Sequence, residues 1–467
     1  MSAGPSSRTS RWAALLRTLA DALEARRDDI VAVADRETAL GTTRLNGELT
    51  RTTYQLRLFA EVLEEGSYLE ATIDHAADTP MGPRPDLRRM LLPVGPVAVF
   101  GASNFPLAFS VPGGDTASAL AAGCPVIVKA HGSHPATSQL AFEVMDRAAH
   151  EAGAPDGTLG IVHGLEAGAA LVAHPAVRAV GFTGSVAGGK ALLQIIEGRP
   201  DPIPFFGELS SLNPVVVTPA AAAERGNRIG EELVGSFTLG AGQFCTKPGL
   251  VLVPAGAEGD TVVDAMAAAV RSSSPQYMLN AGIAASYGRI SASLASAPGV
   301  REVARGADAD GTGFQGVPTL LETSAAELPH EVTEECFGPV AVVARYDGED
   351  QLFAAVDALP SSLTATVQRG SGETALPSRV SDKLLGRAGR LVYDAYPTGV
   401  AVSWAQHHGG PWPSTNSQHT SVGTSAVRRF LRPVTWQGAP EEVLPEELRD
   451  GYDAVPRRVD GVLRLPR

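Results

Sequence analysis

Three short stretches of this sequence carry the residue types best suited to chemistry. Cys245 lies in GAGQFCT (residues 240–246), where small residues leave a thiol sterically open. Glu208 lies among apolar and small neighbours in FFGEL (205–209), and Asn104 directly precedes a Phe-Pro pair. A thiolate adds to a carbonyl carbon, an amide N–H holds the resulting oxyanion, and a carboxylate whose pKa is raised by desolvation activates water. The three side chains together predict covalent catalysis at a carbonyl group.

Each of these residues also has a purely structural interpretation. A free cysteine is among the most buried residue types, so Cys245 alone also fits a core position. Two glycines within three residues argue against that, because a core strand gains nothing from them. Glu208 alone fits a surface residue at a strand edge, and Asn104 alone fits a turn. The catalytic interpretation therefore depends on the conjunction of these signals with a glycine-rich loop.

That loop follows a predicted strand ending at Phe182. Its sequence, GSVAGGKA, nearly matches the phosphate-binding pattern G-x-x-x-x-G-K-[ST], but Ala191 stands where Ser or Thr ligates Mg²⁺. The pattern therefore excludes an ATPase or GTPase. A turn with Gly184, Ser185 and Gly189 at a helix N-terminus still suits a pyrophosphate, which backbone N–H groups can hold. The alternative is an ordinary strand-to-helix turn.

Composition restricts the class of protein further. The chain has 467 residues, 44% hydrophobic and 19% charged, which is ordinary for a globular protein of about three domain-sized units. A net charge of −13 argues against a nucleic-acid partner, which requires a basic face. Three cysteines cannot build a disulfide framework in so long a chain, and no apolar run reaches the roughly 18 residues that span a bilayer. We therefore expect a cytoplasmic protein with no nucleic-acid or membrane partner.

Two histidine pairs raise the question of a metal. His131 and His134 form one pair, and His407 and His408 form the other. Neither pair has a cysteine or carboxylate at ligand spacing, and the sequence contains no H-E-x-x-H motif. We expect no metal site.

Helix and strand patterns alternate along most of the chain. Residues 10–72 carry apolar residues at three-to-four spacing, which predicts helices. Buried strands are predicted at 97–100, 125–129, 159–162, 177–182, 215–217, 250–253 and 340–343, and helices between the first four at 113–123, 137–152 and 165–173. Such alternation is typical of a doubly wound parallel sheet, so the predicted fold class is α/β. The tail from Gln437 onward, rich in Pro, Glu and Arg, is predicted to be a surface extension.

Taken in order, these stretches resemble the aldehyde dehydrogenase superfamily, with matches nearly end to end. FTGS (182–185) is similar to its dinucleotide loop, and EECFGPV (334–340) to its Glu-x-Phe-Gly-Pro signature. The resemblance implies that Cys245 is the nucleophile, that Asn104 and the Cys245 backbone N–H hold the oxyanion, and that Glu208 activates water.

The same resemblance implies a nicotinamide cofactor. Glu335 would bind the nicotinamide ribose, Phe337 would wall the nicotinamide ring, and Lys129 would contact the adenosine ribose. Many NAD-using members carry a Glu three residues after that lysine, where this chain has Gly132. Without that carboxylate a 2′-phosphate meets no repulsion, and Lys129 and Ser133 are placed to contact it. We expect NADP or NAD, with NADP favoured.

Within the superfamily, four stretches look like α-ketoglutaric semialdehyde (2,5-dioxovalerate) dehydrogenases: residues 101–110, 113–125, 408–413 and 420–434. The implied reaction is the oxidation of 2,5-dioxopentanoate to 2-oxoglutarate through a thiohemiacetal and a thioester on Cys245. Alternatives are an NADP-dependent long-chain (fatty) aldehyde dehydrogenase and a catalytically retired structural relative. A CoA-acylating enzyme is disfavoured by Glu208, because transfer to CoA needs no water-activating base.

The resemblance also implies an architecture. We expect an aldehyde dehydrogenase-like fold with a Rossmann-type cofactor domain, an α/β catalytic domain and a small β oligomerisation element. The cofactor domain would cover residues 1–206, interrupted near 72–92 by the oligomerisation element. The catalytic domain would cover 207–405, and a C-terminal return and oligomerisation segment 406–467. A homodimer or homotetramer acting on a small-molecule aldehyde is expected.

Overall fold

The computed structural model describes residues 8–466, which begin with three helices. These are α1 (Arg8–Ala25), α2 (Arg27–Thr38) and α3 (Thr42–Glu65). Their apolar side chains recur at three-to-four spacing and are buried in one core with the first large sheet. In the described chain, none of the helices combines the length and apolarity that crossing a bilayer requires.

Four short strands follow the helices. They are β1 (Thr72–Asp74), β2 (Ala77–Thr79), β3 (Gly82–Arg84) and β4 (Leu87–Pro93). β2 and β3 form an antiparallel hairpin, and β1 pairs antiparallel with β4. The hairpin turn leaves Met81 99% exposed.

The first large sheet is entirely parallel. Its elements are β5 (Val97–Phe100), α4 (Gly114–Ala122), β6 (Val126–Lys129), α5 (Pro135–Glu151), β7 (Leu159–Val162), α6 (Leu165–Ala173), β8 (Ala179–Thr183), α7 (Val186–Glu197) and β9 (Phe205–Glu208). The strand order is β7-β6-β5-β8-β9, so the chain reverses its direction of travel beside β5. Open parallel sheets bind ligands at the carboxyl ends of the strands at such a reversal.

A second large sheet follows. Its region contains β10 (Val215–Val217), α8 (Pro219–Thr238), β11 (Leu250–Pro254), α9 (Ala257–Arg271), β12 (Gln276–Tyr277), α10 (Ala281–Ser296), β13 (Arg301–Arg305), β14 (Gln315–Gly316), β15 (Thr319–Ser324), β16 (Val340–Tyr346), α11 (Gly348–Ala358), β17 (Ser362–Gln368), α12 (Ala375–Leu384) and β18 (Ala388–Tyr393). The order is β13-β15-β16-β11-β10-β17-β18, parallel except for β13. Two parallel-rich sheets flanked by helices confirm the α/β class.

The C-terminal part returns to the small strands. Its strands are β19 (Leu431–Gln437), β20 (Arg457–Val459) and β21 (Val462–Arg464), and they complete a sheet of order β19-β4-β1-β20-β21. The prediction of a surface extension from Gln437 onward is therefore wrong. Leu448, Val455 and Val459 are buried, so the charged and proline-rich composition concealed the apolar residues that pack the tail onto this sheet.

Candidate active site

The loop that carries Cys245 has a backbone that depends on glycine. Three consecutive residues after α8 have positive φ: Gly240 (57°), Ala241 (57°) and Gly242 (66°). A Cβ on Gly242 would lie 2.2 Å from the carbonyl oxygen of Gly338, so no larger residue fits there without a shift. These glycines therefore shape the turn before the thiol.

Asn213 fixes this loop through hydrogen bonds to its backbone. Its Nδ2 donates to the carbonyl oxygens of Cys245 at 2.8 Å and Lys247 at 3.0 Å. Its Oδ1 accepts from the hydroxyls of Ser211 at 2.6 Å and Thr364 at 3.0 Å. Asn213 is fully buried with a φ of 54°, a left-handed conformation that asparagine tolerates. Sequence reasoning missed this residue, whose only local signal is an asparagine at a turn before a strand.

The carboxylate of Glu208 lies beside the thiol, at the carboxyl end of β9. His408 Nε2 is 3.0 Å from Glu208 Oε1 and 3.6 Å from Cys245 Sγ, and the Ser421 hydroxyl donates to Glu208 Oε2 at 2.6 Å. An isolated bridge between Glu208 and Thr415 brings the C-terminal return alongside β9. Two residues distant in sequence, His408 and Ser421, thus complete the surroundings of Glu208.

The expectation that desolvation raises the pKa of Glu208 is wrong for this arrangement. Burial does disfavour the carboxylate, but it is outweighed by the hydrogen bonds and charge of His408 and by the hydrogen bonds from Ser421 and Cys245. Together they lower the pKa of Glu208 to about 2. The sequence argument considered only the apolar neighbours of Glu208 and could not see these donors.

The hydrogen bonds of His408 indicate its tautomer. Its Nδ1 is buried without a hydrogen-bond partner, so a proton on Nδ1 would be an unsatisfied buried donor. Nε2 faces Glu208 Oε1 at 3.0 Å, so a proton on Nε2 donates to the carboxylate whether or not the ring is charged. We therefore assign a proton to Nε2 of His408.

Glu208, Cys245 and His408 also form a group of possible metal ligands. One ligating atom of each lies within 4.8 Å of the others. From the sequence we found no cysteine or carboxylate at ligand spacing from His408 along the chain. In the folded protein, however, Cys245 and Glu208 lie beside it, so that expectation is wrong for the three-dimensional structure. The absence of a metal stays a prediction, supported by the hydrogen bonds that these side chains make with one another.

The thiol itself is held in its neutral form. Burial raises the pKa of Cys245 well above its ordinary value, the negative charge of Glu208 raises it further, and Arg51 opposes the rise. Cys245 is partly exposed, whereas Cys124 and Cys336 are buried. Cys245 is therefore the cysteine that reagents reach.

Asn104 lies at the carboxyl end of β5, across the cleft from this group. Its Nδ2 donates to the carbonyl oxygen of Gln243 at 2.9 Å, which fixes the orientation of the amide. An amide nitrogen carries two protons, so one remains for a ligand. The structure thus places an oriented donor next to the thiol loop.

A cleft of about 320 Å³ joins several predicted site residues. Six of them line it: Asn104, Gly184, Ser185, Cys245, Glu335 and Phe337. Residues that the sequence analysis did not assign to the site complete the wall: Ala102, Ser103, His131, Thr183, Leu209, Asn280, Ile283 and Ser286. Lys129, Ser133, Glu208 and Gly189 are not among the lining residues.

The glycine-rich loop has the form of an anion-binding helix terminus. The Ser185 hydroxyl caps α7 by accepting from the Gly188 N–H at 3.1 Å. A Cβ on Gly184 would lie 2.7 Å from the ring of Phe182, and one on Gly189 would lie 2.6 Å from Leu209. Gly189 therefore permits close packing of the helix, while the N–H groups of the first turn suit a phosphate.

Glu335 is one of the residues that line the cleft. Burial raises its pKa to about 7, while hydrogen bonds from Ser210 and the Ser211 backbone and the charge of Lys247 oppose the rise. Lys247 is itself buried and donates to the carbonyl oxygen of Val340 at 2.8 Å. Glu335 is thus fixed in place and titrates near neutral pH.

The segment after β6 contains the remaining predicted cofactor residues. Lys129 is buried, which lowers its pKa. The Ser133 hydroxyl accepts from Asn280 Nδ2 at 2.7 Å. No atom lies within 4 Å of a Cβ built on Gly132, so this position has open space around it.

Comparisons with known proteins bear on the family and the fold of the chain. The sequence matches the profile of the aldehyde dehydrogenase family over residues 5–434. It is 48% identical over 457 residues to α-ketoglutaric semialdehyde dehydrogenase 2 of Azospirillum brasilense, covering 96% of this chain and 87% of that protein. It is 44% identical over 441 residues to the α-ketoglutaric semialdehyde dehydrogenase of Acinetobacter baylyi, covering 92% and 83%. An aldehyde dehydrogenase of Bacillus cereus, solved as an NAD⁺ complex, shares the fold with a TM-score of 0.77 at 22% identity, covering 93% and 85%.

The surroundings of Cys245 predict how its thiol reacts. Iodoacetamide should label wild-type protein slowly near neutral pH and faster as the pH rises, because alkylation requires the thiolate. Glu208→Gln removes the charge that raises the thiol pKa, so labelling near neutral pH should accelerate several-fold. Mass spectrometry measures the rates, with Cys245→Ala as the unlabelled control. Labelling of Glu208→Gln at or below the wild-type rate would contradict this electrostatic account.

Proposed function

This chain belongs to the aldehyde dehydrogenase family and is an NAD(P)-dependent aldehyde oxidoreductase, and we propose that it oxidises 2,5-dioxopentanoate to 2-oxoglutarate. The observation that carries the chemistry is a cleft lined by a thiol and an oriented amide, with the buried carboxylate of Glu208 hydrogen-bonded to the thiol. The two α-ketoglutaric semialdehyde dehydrogenases, identical at 48% and 44% of aligned positions, support the substrate.

In the proposed mechanism the thiol proton of Cys245 passes to solvent by way of Glu208, which accepts a hydrogen bond from the thiol, and the sulfur adds to the aldehyde carbon. The adduct is a thiohemiacetal, and its oxyanion is held by the free amide proton of Asn104 and by the Cys245 backbone N–H. Gln243 keeps the Asn104 amide oriented through the 2.9 Å hydrogen bond. A bound nicotinamide cofactor would supply the hydride acceptor, and Cys245 would carry the oxidised product as a thioester.

Glu208 then activates the water that releases the acid. A carboxylate with a pKa of about 2 is a weak base, because general bases work best with a pKa near the operating pH. We infer that Glu208 gives up its contact with His408 or Ser421 during this step, which restores its basicity. His408 and Ser421 are thus positioning residues that hold Glu208 in the resting state.

The residues of the cleft fit a nicotinamide dinucleotide. The first turn of α7 offers N–H groups to the pyrophosphate, and a Cβ at position 184 would require the ring of Phe182 to shift. Glu335 would accept from the nicotinamide ribose, and Phe337 would face the ring. Lys129 and Ser133 would contact the adenosine ribose, and the open space at Gly132 accommodates a 2′-phosphate. We propose NADP as the favoured cofactor.

We also propose the domain division 1–206, 207–405 and 406–467, with the oligomerisation element near 72–92. Its support is that β5 to β9 build one large sheet, whereas β10, β11, β13 and β15 to β18 build the other. Near 72–92, β1 and β4 form a third sheet with the C-terminal strands β19, β20 and β21.

Glu208→Gln should slow release of the acid more than formation of the thioester, since only release needs a base. Rapid mixing with 2,5-dioxopentanoate and NADP⁺ should show a burst of NADPH followed by slow turnover. Cys245→Ala should show neither, while the cofactor still binds. Rapid steady-state turnover of Glu208→Gln, or loss of its burst, is the outcome against this role.

Gly132→Glu should shift the cofactor preference toward NAD⁺. The new carboxylate repels a 2′-phosphate and accepts from ribose hydroxyls. A charge-assisted contact is worth roughly 1.5–3 kcal/mol, so a change of about ten- to a hundred-fold in the ratio of kcat/KM values is expected. Gly386→Glu is the matched control, because its Cβ also meets open space, far along the chain. A wild-type enzyme that strongly prefers NAD⁺ refutes the role of Gly132.

We propose that the protein is a homodimer or homotetramer. The edge strand β21 exposes Val462 and Leu463, and the neighbouring Leu465 is 70% exposed. Unpaired apolar sheet edges are the natural place for a second copy to pair. Analytical ultracentrifugation should give a particle mass of two or four chains for the wild type, and Leu463→Lys should lower that mass. A monomeric wild type would exclude the proposal.

A further inference from the structure

One face of α3 carries a polar stripe that points into the protein. Its members are Arg44, Glu48, Arg51 and Gln55, spaced at i, i+4, i+7 and i+11, which places them on the same side of a helix. Glu48 and Gln55 are almost fully buried. Charged side chains are rarely buried unless they are paired, so this stripe needs an explanation.

Polar atoms of all four side chains lack hydrogen-bond partners. The buried atoms without a partner are Arg44 Nη1, Glu48 Oε2, Arg51 Nη1 and Nη2, and Gln55 Nε2. Among the described residues, Arg51 also has no ion pair within 4.0 Å. A buried donor without an acceptor costs free energy comparable to a lost hydrogen bond. The stripe therefore suits a polar group that is not part of the chain.

Arg44 and Glu48 have an evident structural task. Arg44 Nη2 donates to the carbonyl oxygen of Asn104 at 2.6 Å. Glu48 Oε1 accepts from the backbone N–H groups of Leu107 and Ala108 at 2.8 and 2.9 Å. Both side chains thus hold the loop that carries Asn104. The guanidinium of Arg51 makes no such bond and lies on the ring of Phe109, 5.0 Å from its centroid.

Arg51 is close to the reacting groups. Its charge acts on both Cys245 and Glu208 and lowers the pKa of the thiol. The ring of Phe105, the residue after Asn104, contacts the rings of Phe109 and of Phe244, the residue before Cys245, with centroids 5.3 Å apart in both pairs. The two arginines outnumber Glu48 in charge, so the stripe carries an excess positive charge next to the thiol.

We propose that Arg51 binds the distal carboxylate of the substrate while the aldehyde group lies at Cys245, which makes Arg51 a specificity-determining residue. A guanidinium presents two parallel N–H donors that match a carboxylate. Arg51 Nη1 and Nη2 are both buried without a partner, so both donors are available to a carboxylate that reaches them. This inference rests on the proposed function, because it concerns an aldehyde that also carries an acid.

The test compares two aldehydes of equal chain length, 2,5-dioxopentanoate and uncharged pentanal. Arg51→Met should lower kcat/KM for 2,5-dioxopentanoate by about ten- to a hundred-fold, mainly through KM, if a charge-assisted bond is lost. The kcat/KM for pentanal should fall much less, because that substrate loses only the effect of Arg51 on the thiol pKa. Arg51→Lys should restore part of the preference, because it keeps the charge but loses the paired donors.

Arg57→Met is the matched control on the same helix. Arg57 pairs with Asp21 at 2.7 Å on the exposed side of α3, so its removal should leave kcat/KM unchanged for both aldehydes. Thermal melting and NADPH fluorescence establish that each variant is folded. If Arg51→Met does not fold, the ratio of the two substrates in Arg51→Lys decides the question.

The outcomes separate the two proposals. An equal loss on both aldehydes, in a folded Arg51→Met or Arg51→Lys, makes Arg51 structural and overturns the inference. Unchanged values on both aldehydes place the carboxylate elsewhere and also overturn it. A wild-type enzyme that shows no preference for 2,5-dioxopentanoate over pentanal contradicts the proposed substrate instead.

Discussion

The buried carboxylate of Glu208 is the constraint on which the rest of the site depends. A buried ion is costly unless hydrogen bonds replace its water. The compensating donors, His408 and Ser421, lie 200 and 213 positions later in the chain. The C-terminal return must therefore cross back over the first sheet, and the same return continues into β19, which pairs with β4 along its whole length. The chemistry at Glu208 and the attachment of the chain end thus share one segment.

A second constraint couples the thiol to the cofactor side of the cleft. Gly242, three residues before Cys245, is in backbone contact with Gly338, three residues after Glu335. A Cβ on Gly338 would itself lie 2.1 Å from the ring of Tyr287. Close-packed backbones cannot shift independently, so the loops of Cys245 and Glu335 keep a fixed separation. This backbone contact explains why glycine occurs at 242 and 338, in addition to the steric openness that glycine gives the Cys245 thiol.

The sequence predicted the elements of the sheets better than the surroundings of the site. The strands 97–100 and 159–162 and the helix 165–173 were predicted with their observed ends. Buried parallel strands are short continuous apolar runs, which are visible locally. The contacts that decide the pKa of Glu208 are not local, and neither are the roles of His408, Asn213 and Arg51. The local pattern alone did not bring Cys245, Asn104 and Glu335 to one cleft; that expectation also needed the family resemblance. The prediction for the tail was wrong because its charged residues and prolines outnumber the few apolar residues that pack onto the small sheet.

The contacts that allow Glu208 to be buried as an ion also oppose its use as a base. Each hydrogen bond to the ionised form stabilises the folded protein and weakens proton affinity by the same free energy. Stability and basicity of this carboxylate therefore cannot both be high in one arrangement. Both donors that could release it, His408 and Ser421, lie on the C-terminal return. Movement of that return, even by the length of one hydrogen bond, is the simplest way to convert a stable carboxylate into an effective base, and it links deacylation to the segment that also closes the small sheet.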